Sequence, residues 1–408
     1  MLRWIIFVTI YFIMAFYTLQ ALKTATRYPW VYYVMAVISL IILGNFIYQF
    51  SWGEQAGRVL SRPKSYAFGF LLAILTFKLI TIIFLFSEDI FRFISASYHK
   101  LSGSSTEFSL PTRRRFLSMM ALGIAAVPFG ALLYGMYKGK YNFKVLNYTM
   151  EFDDLPDAFN GYKITQISDI HSGSFDDRKK IEYGVDLINS QQSDVICFTG
   201  DMVNNKAEEM EPWADLFSTL KAPDGKFSIL GNHDYGDYVQ WETVEEKSKN
   251  LEDLKQMQKE MGFDLLLNEH RLLSKGKDKL ALIGVENWGK GFKSVGDLNK
   301  AIDGLGNGHF RILLSHDPTH WQEEVIQHDN HFHLTLSGHT HGMQFGIEIP
   351  GIIKWSPVKW RYKYWAGVYE ELGQFINVNR GFGFIGYPGR VGIWPEITVI
   401  TLKKKSLS

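Results

Sequence analysis

Cysteine is almost missing: Cys197 is the single one in 408 residues, which excludes an internal disulfide framework and leaves the thiol content silent on compartment. Set in the apolar run Val195-Ile196-Cys197-Phe198, it reads as a small buried hydrophobe. Net charge is nearly absent as well. With 43 Lys and Arg against 42 Asp and Glu, a formal +1, the whole chain gives no electrostatic argument for a nucleic-acid partner, and none is expected. No internal repeat or low-complexity tract is visible, which excludes repeat architectures. Charge is also unevenly spread. Up to Tyr137 long apolar stretches dominate, and that portion holds only His99 of the 12 histidines.

A helix needs about 20 mostly apolar residues to cross a bilayer. Leu2–Leu22, Pro29–Phe50 and Tyr66–Phe86 meet that requirement. Phe116–Tyr137 meets it more weakly, diluted by Gly123, Pro128, Gly130 and Gly135. Trp30, Tyr32, Tyr33 and Trp52 flank the second stretch, as aromatic residues do at membrane interfaces. Residues 1–137 therefore read as a multi-pass membrane domain, with 95–111 a polar, Ser-rich linker before the fourth span. Lys78, inside the third span, reads as a side chain that snorkels or faces a neighbouring helix. Thr112-Arg113-Arg114-Arg115-Phe116-Leu117 resembles the twin-arginine export signal. That resemblance implies a retained fourth anchor and an extracytoplasmic location for everything beyond Tyr137. An ordinary basic helix end is the other reading, and Lys and Arg fall about equally on both sides in either orientation.

From Lys144 to Lys404 the pattern becomes that of an α/β domain. Strands are expected at Tyr162–Ser168, Asp194–Thr199, Phe227–Leu230, Leu280–Val285, Phe310–Leu314 and Phe332–Leu336. Helices are expected at Asp177–Ser190, with Ile181, Val185 and Ile188 on its apolar side, and at Glu242–Met261. Several strands and turns fill Gly346–Leu402.

Polar residues cluster just beyond the strands. The clusters are Ser168-Asp169-Ile170-His171, Gly200-Asp201, Gly231-Asn232-His233-Asp234, Ser315-His316-Asp317 and Gly338-His339-Thr340-His341. In open α/β sheets such positions line the binding crevice, so five strand ends would deliver Asp, Asn and His to one place. Mixed imidazole and carboxylate ligands suit Mn, Fe or Zn better than Ca. A carboxylate can bridge two such cations, and a pair of them clamps an in-line phosphoryl displacement while lowering the pKa of a shared water.

These five blocks, in this order, resemble the calcineurin-like metallophosphoesterase superfamily over residues 144–402. The preceding spans, the twin-arginine-like segment and the ending Val378-Asn379-Arg380-Gly381 … Pro395-Glu396-Ile397-Thr398 are similar to its bacterial membrane-associated branch. The resemblance implies an α/β/β/α sandwich and a hydrolase with two divalent transition-metal ions, its nucleophile a hydroxide bridging them. It implies that Asp169, His171 and His341 hold the first metal and that Asp201 bridges to the second. Asn232, His316 and His339 would complete the second metal's ligands. His233 would stay free to stabilise the transition state or protonate the leaving oxygen, with Asp234 orienting it. His320, His328, His331 and His333 match no motif position and are expected at the surface or in strands; His270 and His309 are equally uninformative.

Two features bear on substrate. Lys354-Trp355 and Lys359-Trp360-Arg361-Tyr362-Lys363-Tyr364-Trp365 interleave basic and aromatic residues. Either the aromatic face is core and the basic face solvated, or the segment touches lipid headgroups. Arg380, in a Gly-containing loop, is a candidate for substrate phosphate. A phosphodiesterase acting on a lipid-linked substrate is the leading expectation. A pyrophosphatase of a nucleotide-linked lipid at the cytoplasmic face, and a non-catalytic membrane scaffold, are the alternatives. Oligomeric state is not legible.

Overall fold

A computed structural model describes residues 2–51, 59–102, 111–306, 308–349 and 351–405. The helices α1 (Leu2–Ala25), α2 (Pro29–Ser51), α3 (Arg62–Ser102) and α4 (Pro111–Tyr137) form one compact unit, and the chain from Lys138 onward forms another. All four helices are long and apolar enough to cross a membrane. Tyr11, Leu43, Leu71 and Ile74 pack between them.

Lys78 faces its neighbours. Its Nζ lies 2.6 Å from Ser39 Oγ and 3.4 Å from the centre of the Tyr11 ring, beside a cavity of about 260 Å³. The helix α3 runs on to Ser102, through much of the segment read above as linker. Its added turns carry Phe91, Ile94 and Tyr98 at helical spacing, a pattern hidden by the serines between them. The rest of that linker, 103–110, lies outside the described residues.

In the second unit the strands are β1 (Lys144–Phe152), β2 (Lys163–Ile167), β3 (Val195–Phe198), β4 (Lys226–Ser228), β5 (Phe263–Leu265), β6 (Glu269–Lys275) and β7 (Asp278–Gly284). They continue with β8 (Phe310–Leu314), β9 (Leu334–Ser337), β10 (Ile347–Ile349), β11 (Ile353–Trp355), β12 (Gly367–Glu371), β13 (Gln374–Val378) and β14 (Glu396–Lys404). One six-stranded sheet has the order β1-β14-β2-β3-β4-β5, a second the order β12-β13-β9-β8-β7-β6, and β10-β11 stand apart as a hairpin.

The sheets face each other. Ile164, Val195, Cys197, Phe227 and Ile400 of the first interleave with Leu280, Leu282, Ile312, Leu314 and Leu336 of the second. Cys197 is fully buried there, and burial pushes its thiol pKa well up. Helices cover the outer faces. On the first sheet α5 (Arg178–Asn189) lays Ile181, Val185 and Ile188 against Ile167, Ile196 and Phe198, capped by Asp177 accepting from the Lys180 amide. α6 (Ala214–Ser218) and α7 (Val244–Glu260) complete that layer with Phe217 and Leu254. Trp321, Val325 and Leu298 cover the second sheet. The result is an α/β/β/α sandwich.

Pairing is parallel from β2 through β5 and from β7 through β9 to β13. The carboxyl ends of β2, β3 and β4 therefore share one edge, as do those of β8 and β9.

Candidate metal centre

Those two edges meet at the polar clusters. The His339 amide donates to both oxygens of Asp169, at 3.1 and 3.0 Å, joining the end of β9 to the end of β2. Asp201 Oδ2 lies 3.2 Å from His316 Nε2, again across the sheets, and 3.6 Å from His171 Nε2, which follows the neighbouring strand of its own sheet. His341 Nε2 is 3.2 Å from Asp169 Oδ1 and 3.0 Å from His171 Nε2. Three clusters result, each compact enough to hold a cation: Asp169-His171-His341, His171-Asp201-His233 and Asp201-His316-His339. Asp201 and His171 each belong to two of them.

The backbone is bent to bring these groups in. Asp169, His171, Asp201, His339 and His341 all have φ between +48° and +70°, making half of the ten non-glycine residues with positive φ among those described. Each such residue costs on the order of 1 kcal/mol or more, and five of them cluster at one place. Two glycines allow the close approach. A Cβ on Gly231 would lie 2.2 Å from Asp201 Oδ1, and one on Gly338 would lie 2.3 Å from Asp169 Oδ2.

Hydrogen bonds fix which ring nitrogens face inward. His316 Nδ1 donates to the Thr199 carbonyl at 2.7 Å, leaving Nε2 aimed at Asp201 with no hydrogen-bond partner. A lone pair facing a carboxylate oxygen is repulsive unless a proton or a cation lies between them. Without a metal a proton takes that role. Burial opposes charge on His316, but the Asp201 carboxylate outweighs it and lifts the pKa to about 10. Burial holds His171 well below its ordinary value. Asn232 is turned by donating from Nδ2 to Tyr238 Oη at 2.8 Å, so that its carbonyl oxygen meets His339 Nδ1 at 2.8 Å. Mixed imidazole, carboxylate and amide-oxygen donors, buried and converging, fit divalent transition-metal ions.

His233 stands apart from the buried set, partly exposed at the mouth. Its Nδ1 donates to the Asn204 carbonyl at 2.8 Å, and Tyr238 lies against the ring. Asp234 does not orient it, contrary to the sequence expectation. The buried Asp234 carboxylate instead accepts the amides of Asp201 (3.0 Å), Met202 (2.8 Å), Val203 (3.3 Å) and Gly231 (2.9 Å). Its role is to hold the Asp201 loop, because four unpaired amides outcompete a ring that already has a carbonyl partner. Burial, and then the nearby Asp201, push its pKa to about 7.

Arg380 is also corrected. Its guanidinium is closed between Glu348, with Nε to Oε2 at 3.0 Å and Nη2 to Oε1 at 2.6 Å, and Glu396, which Nη1 meets. Two carboxylates leave it no free face for a phosphate. Arg361 is an exposed cation near the centre, over the rings of Phe292 and Tyr362, which both meet His339.

Sequence reasoning missed several neighbours. Arg390, fully buried, sets Nη2 3.1 Å from His341 Nδ1 and ties down the carbonyls of Arg380 and Gly383. Tyr362 Oη meets His339 Nε2 at 2.8 Å. Asp317 Oδ2 lies 3.4 Å from the same nitrogen. Tyr362 gave a signal in the aromatic-basic alternation and Asp317 in the Ser315-His316-Asp317 cluster, where no role was assigned to it; Arg390 gave none. In the alternation three of the aromatic residues are inside, Tyr362, Tyr364 and Trp365, while Lys359, Arg361 and Lys363 are exposed, and so is Trp360. His320 and His333 are buried rather than superficial.

A family model described as calcineurin-like phosphoesterase matches residues 162–343. One described as probable calcineurin-like phosphoesterase, transmembrane domain, matches residues 2–140. An uncharacterized metallophosphoesterase of Bacillus subtilis, YkuE, is 31% identical over 299 residues, covering 72% of this chain and 98% of its own. A transmembrane protein with metallophosphoesterase domain from Danio rerio is 27% identical over 300 residues, 70% of this chain and 63% of that one. An uncharacterized metallophosphoesterase of Aquifex aeolicus is 28% identical over 283 residues, 68% of this chain and 99% of its own.

Proposed function

Because the chain belongs to the calcineurin-like metallophosphoesterases and carries four membrane-type helices, we propose that it is a membrane-anchored phosphodiesterase acting on a lipid-linked phosphodiester. Asp169, His171 and His341 would hold one cation, and Asp201, Asn232, His316 and His339 would hold a second, with Asp201 placed to be shared between the two sets. Two ions of the Mn, Fe or Zn kind supply ionised water near neutral pH and offset charge on the non-bridging phosphate oxygens. The protein's own groups do the remaining work. His233, held through Nδ1, presents Nε2 at the mouth for proton exchange with the leaving oxygen. Asp234 keeps the Asp201 loop in place through four amides. Arg361 draws anionic substrate towards the mouth.

The observation that carries this reading is Asp201, whose Oδ2 sits between two imidazoles brought in from different strand ends. The test is Asp201→Ala in the full chain, assayed with Mn²⁺ on chromogenic mono- and diesters. Diester turnover should fall by about a thousandfold. Unchanged turnover would sink the two-metal assignment, and a wild-type preference for the monoester would sink the diesterase reading. A catalytic unit lying outside the cytoplasm is part of the proposal, supported by the twin-arginine-like segment.

A further inference from the structure

The β10–β11 hairpin is built inside out. Its register pairs Ile347 with Trp355, Glu348 with Lys354 and Ile349 with Ile353. Directly opposed residues point to the same side, so one face carries Ile347, Ile349, Ile353 and Trp355 and the other carries Glu348 and Lys354. The polar face is the one turned to the protein: Glu348 binds the buried Arg380, and Lys354 Nζ meets the Ala366 carbonyl. The apolar face is left outside. Ile347 is 51% exposed, Ile349 47%, Ile353 42%, and Ile352 at the turn 81%. Trp360, 77% exposed, abuts Trp355 and extends the patch, with Lys359 and Arg361 exposed on either side of it.

The patch has a definite location. Gly346, at the base of the hairpin, donates to the Val391 carbonyl at 2.9 Å. Gly139 rests on the preceding residue, so close that a Cβ there would lie 2.3 Å from the Arg390 carbonyl oxygen. The hairpin therefore leaves the catalytic unit beside the point where the chain enters it. Tyr137, the last residue of α4, is two residues from Gly139 and no more than about 7 Å away. Strands of this length carry the hairpin tip about 10 Å beyond its base. Isoleucines, an interfacial tryptophan and flanking cations, at the end of the catalytic unit where the chain enters it, match the composition of an interfacial anchor.

We propose that the Ile347–Trp355 hairpin, with Trp360, docks into the bilayer surface and holds the mouth of the metal centre against the lipid. This deepens the lipid-linked reading above and rests on it for its purpose. The hairpin follows His339 and His341 in the chain, and Arg380 and Arg390 tie it to their loop, so docking and substrate access share one edge of the sandwich.

The test uses the full chain in lipid vesicles. Because Cys197 is fully buried, Ile352→Cys gives one reactive thiol for an environment-sensitive fluorophore, with Lys277→Cys as control. Lys277 lies in the turn between β6 and β7, two residues from Lys275, which pairs with Asp194 at the opposite end of the strands. The label at 352 should emit to the blue, be quenched by lipids carrying a quencher on the acyl chain, and resist aqueous iodide about fivefold better than the label at 277. Equal iodide quenching at both positions overturns the proposal. So does shielding from iodide without lipid-chain quenching, which would mean a second protein copy covers the patch. A paired assay separates the two readings. Ile349→Asp with Ile352→Asp should lower turnover of a vesicle-borne diester about tenfold and leave a water-soluble diester unchanged. A lipid-embedded hairpin without that difference would leave docking standing and remove the lipid-linked substrate.

Discussion

Protonating His320 would place a charge in a site with almost no solvent. The ring is fully buried, stacked on Trp288, with Nδ1 2.8 Å from Ser315 Oγ. Burial, the largest influence, pulls its pKa down to about 4, below the unfolded value of 6.5. A histidine depressed on folding contributes its full stability above the unfolded pKa and loses it as pH falls towards the folded one. Lowering the pH from 7 to 5 should therefore cost about 2 kcal/mol, at roughly 1.4 kcal/mol per unit inside that window. The thermal midpoint of the full chain, followed at both pH values, measures this. His320→Gln should flatten the pH dependence whatever it does to the midpoint itself. An undiminished pH-dependent drop in that variant would assign the effect elsewhere. Chemistry at the centre was legible at the same scale, since each ligand-type residue stands directly after a strand in the sequence. What the sequence withheld was direction: nothing in Gly231-Asn232-His233-Asp234 says that the aspartate turns to backbone amides rather than to its neighbouring ring.

Among the elements, Arg380 links two pieces that sequence order keeps apart, the hairpin through Glu348 and the start of β14 through Glu396. Removing one member of a buried ionic group strands the others. Arg380→Ala should therefore destabilise the catalytic unit by about 3–5 kcal/mol, with Arg380→Lys in between, because an ammonium cannot bond both carboxylates in forked geometry. Denaturant midpoints measure the order. An alanine variant as stable as the parent would show that the clamp is ornamental. The strands were largely readable, because β2, β3, β8 and β9 are short, mostly apolar runs buried on both faces. Their sheet partners were not. That β14 inserts between β1 and β2 follows from tertiary packing and has no local signal. The inverted face of β10–β11 was illegible for the same reason: alternation gives two faces but not which one meets the protein.

At the scale of the whole molecule, the centre is where the two sheets are joined. Asp169, Asp201 and Asn232 come from the first and His316, His339 and His341 from the second, so cation binding becomes folding stability. Chelation should lower the thermal midpoint of the second unit by about 10 °C if the ions are present near a thousandfold their dissociation constants. Mn²⁺ should restore it, and a midpoint indifferent to chelator would contradict the assigned ligands. Orientation across the membrane then decides between two chemistries. An exported catalytic unit meets lipid-linked diesters and no nucleotide pool, whereas a cytoplasmic one could hydrolyse a nucleotide-linked lipid with the same metals. The buried Cys197 makes a single added thiol a clean reporter. Lys277→Cys, on the exposed turn between β6 and β7, should react with a membrane-impermeant maleimide in intact cells as fully as after permeabilisation. Labelling that required permeabilisation would place the centre in the cytoplasm, reduce Arg113 and Arg114 to an ordinary basic helix start, and turn the reading towards the nucleotide-linked pyrophosphate.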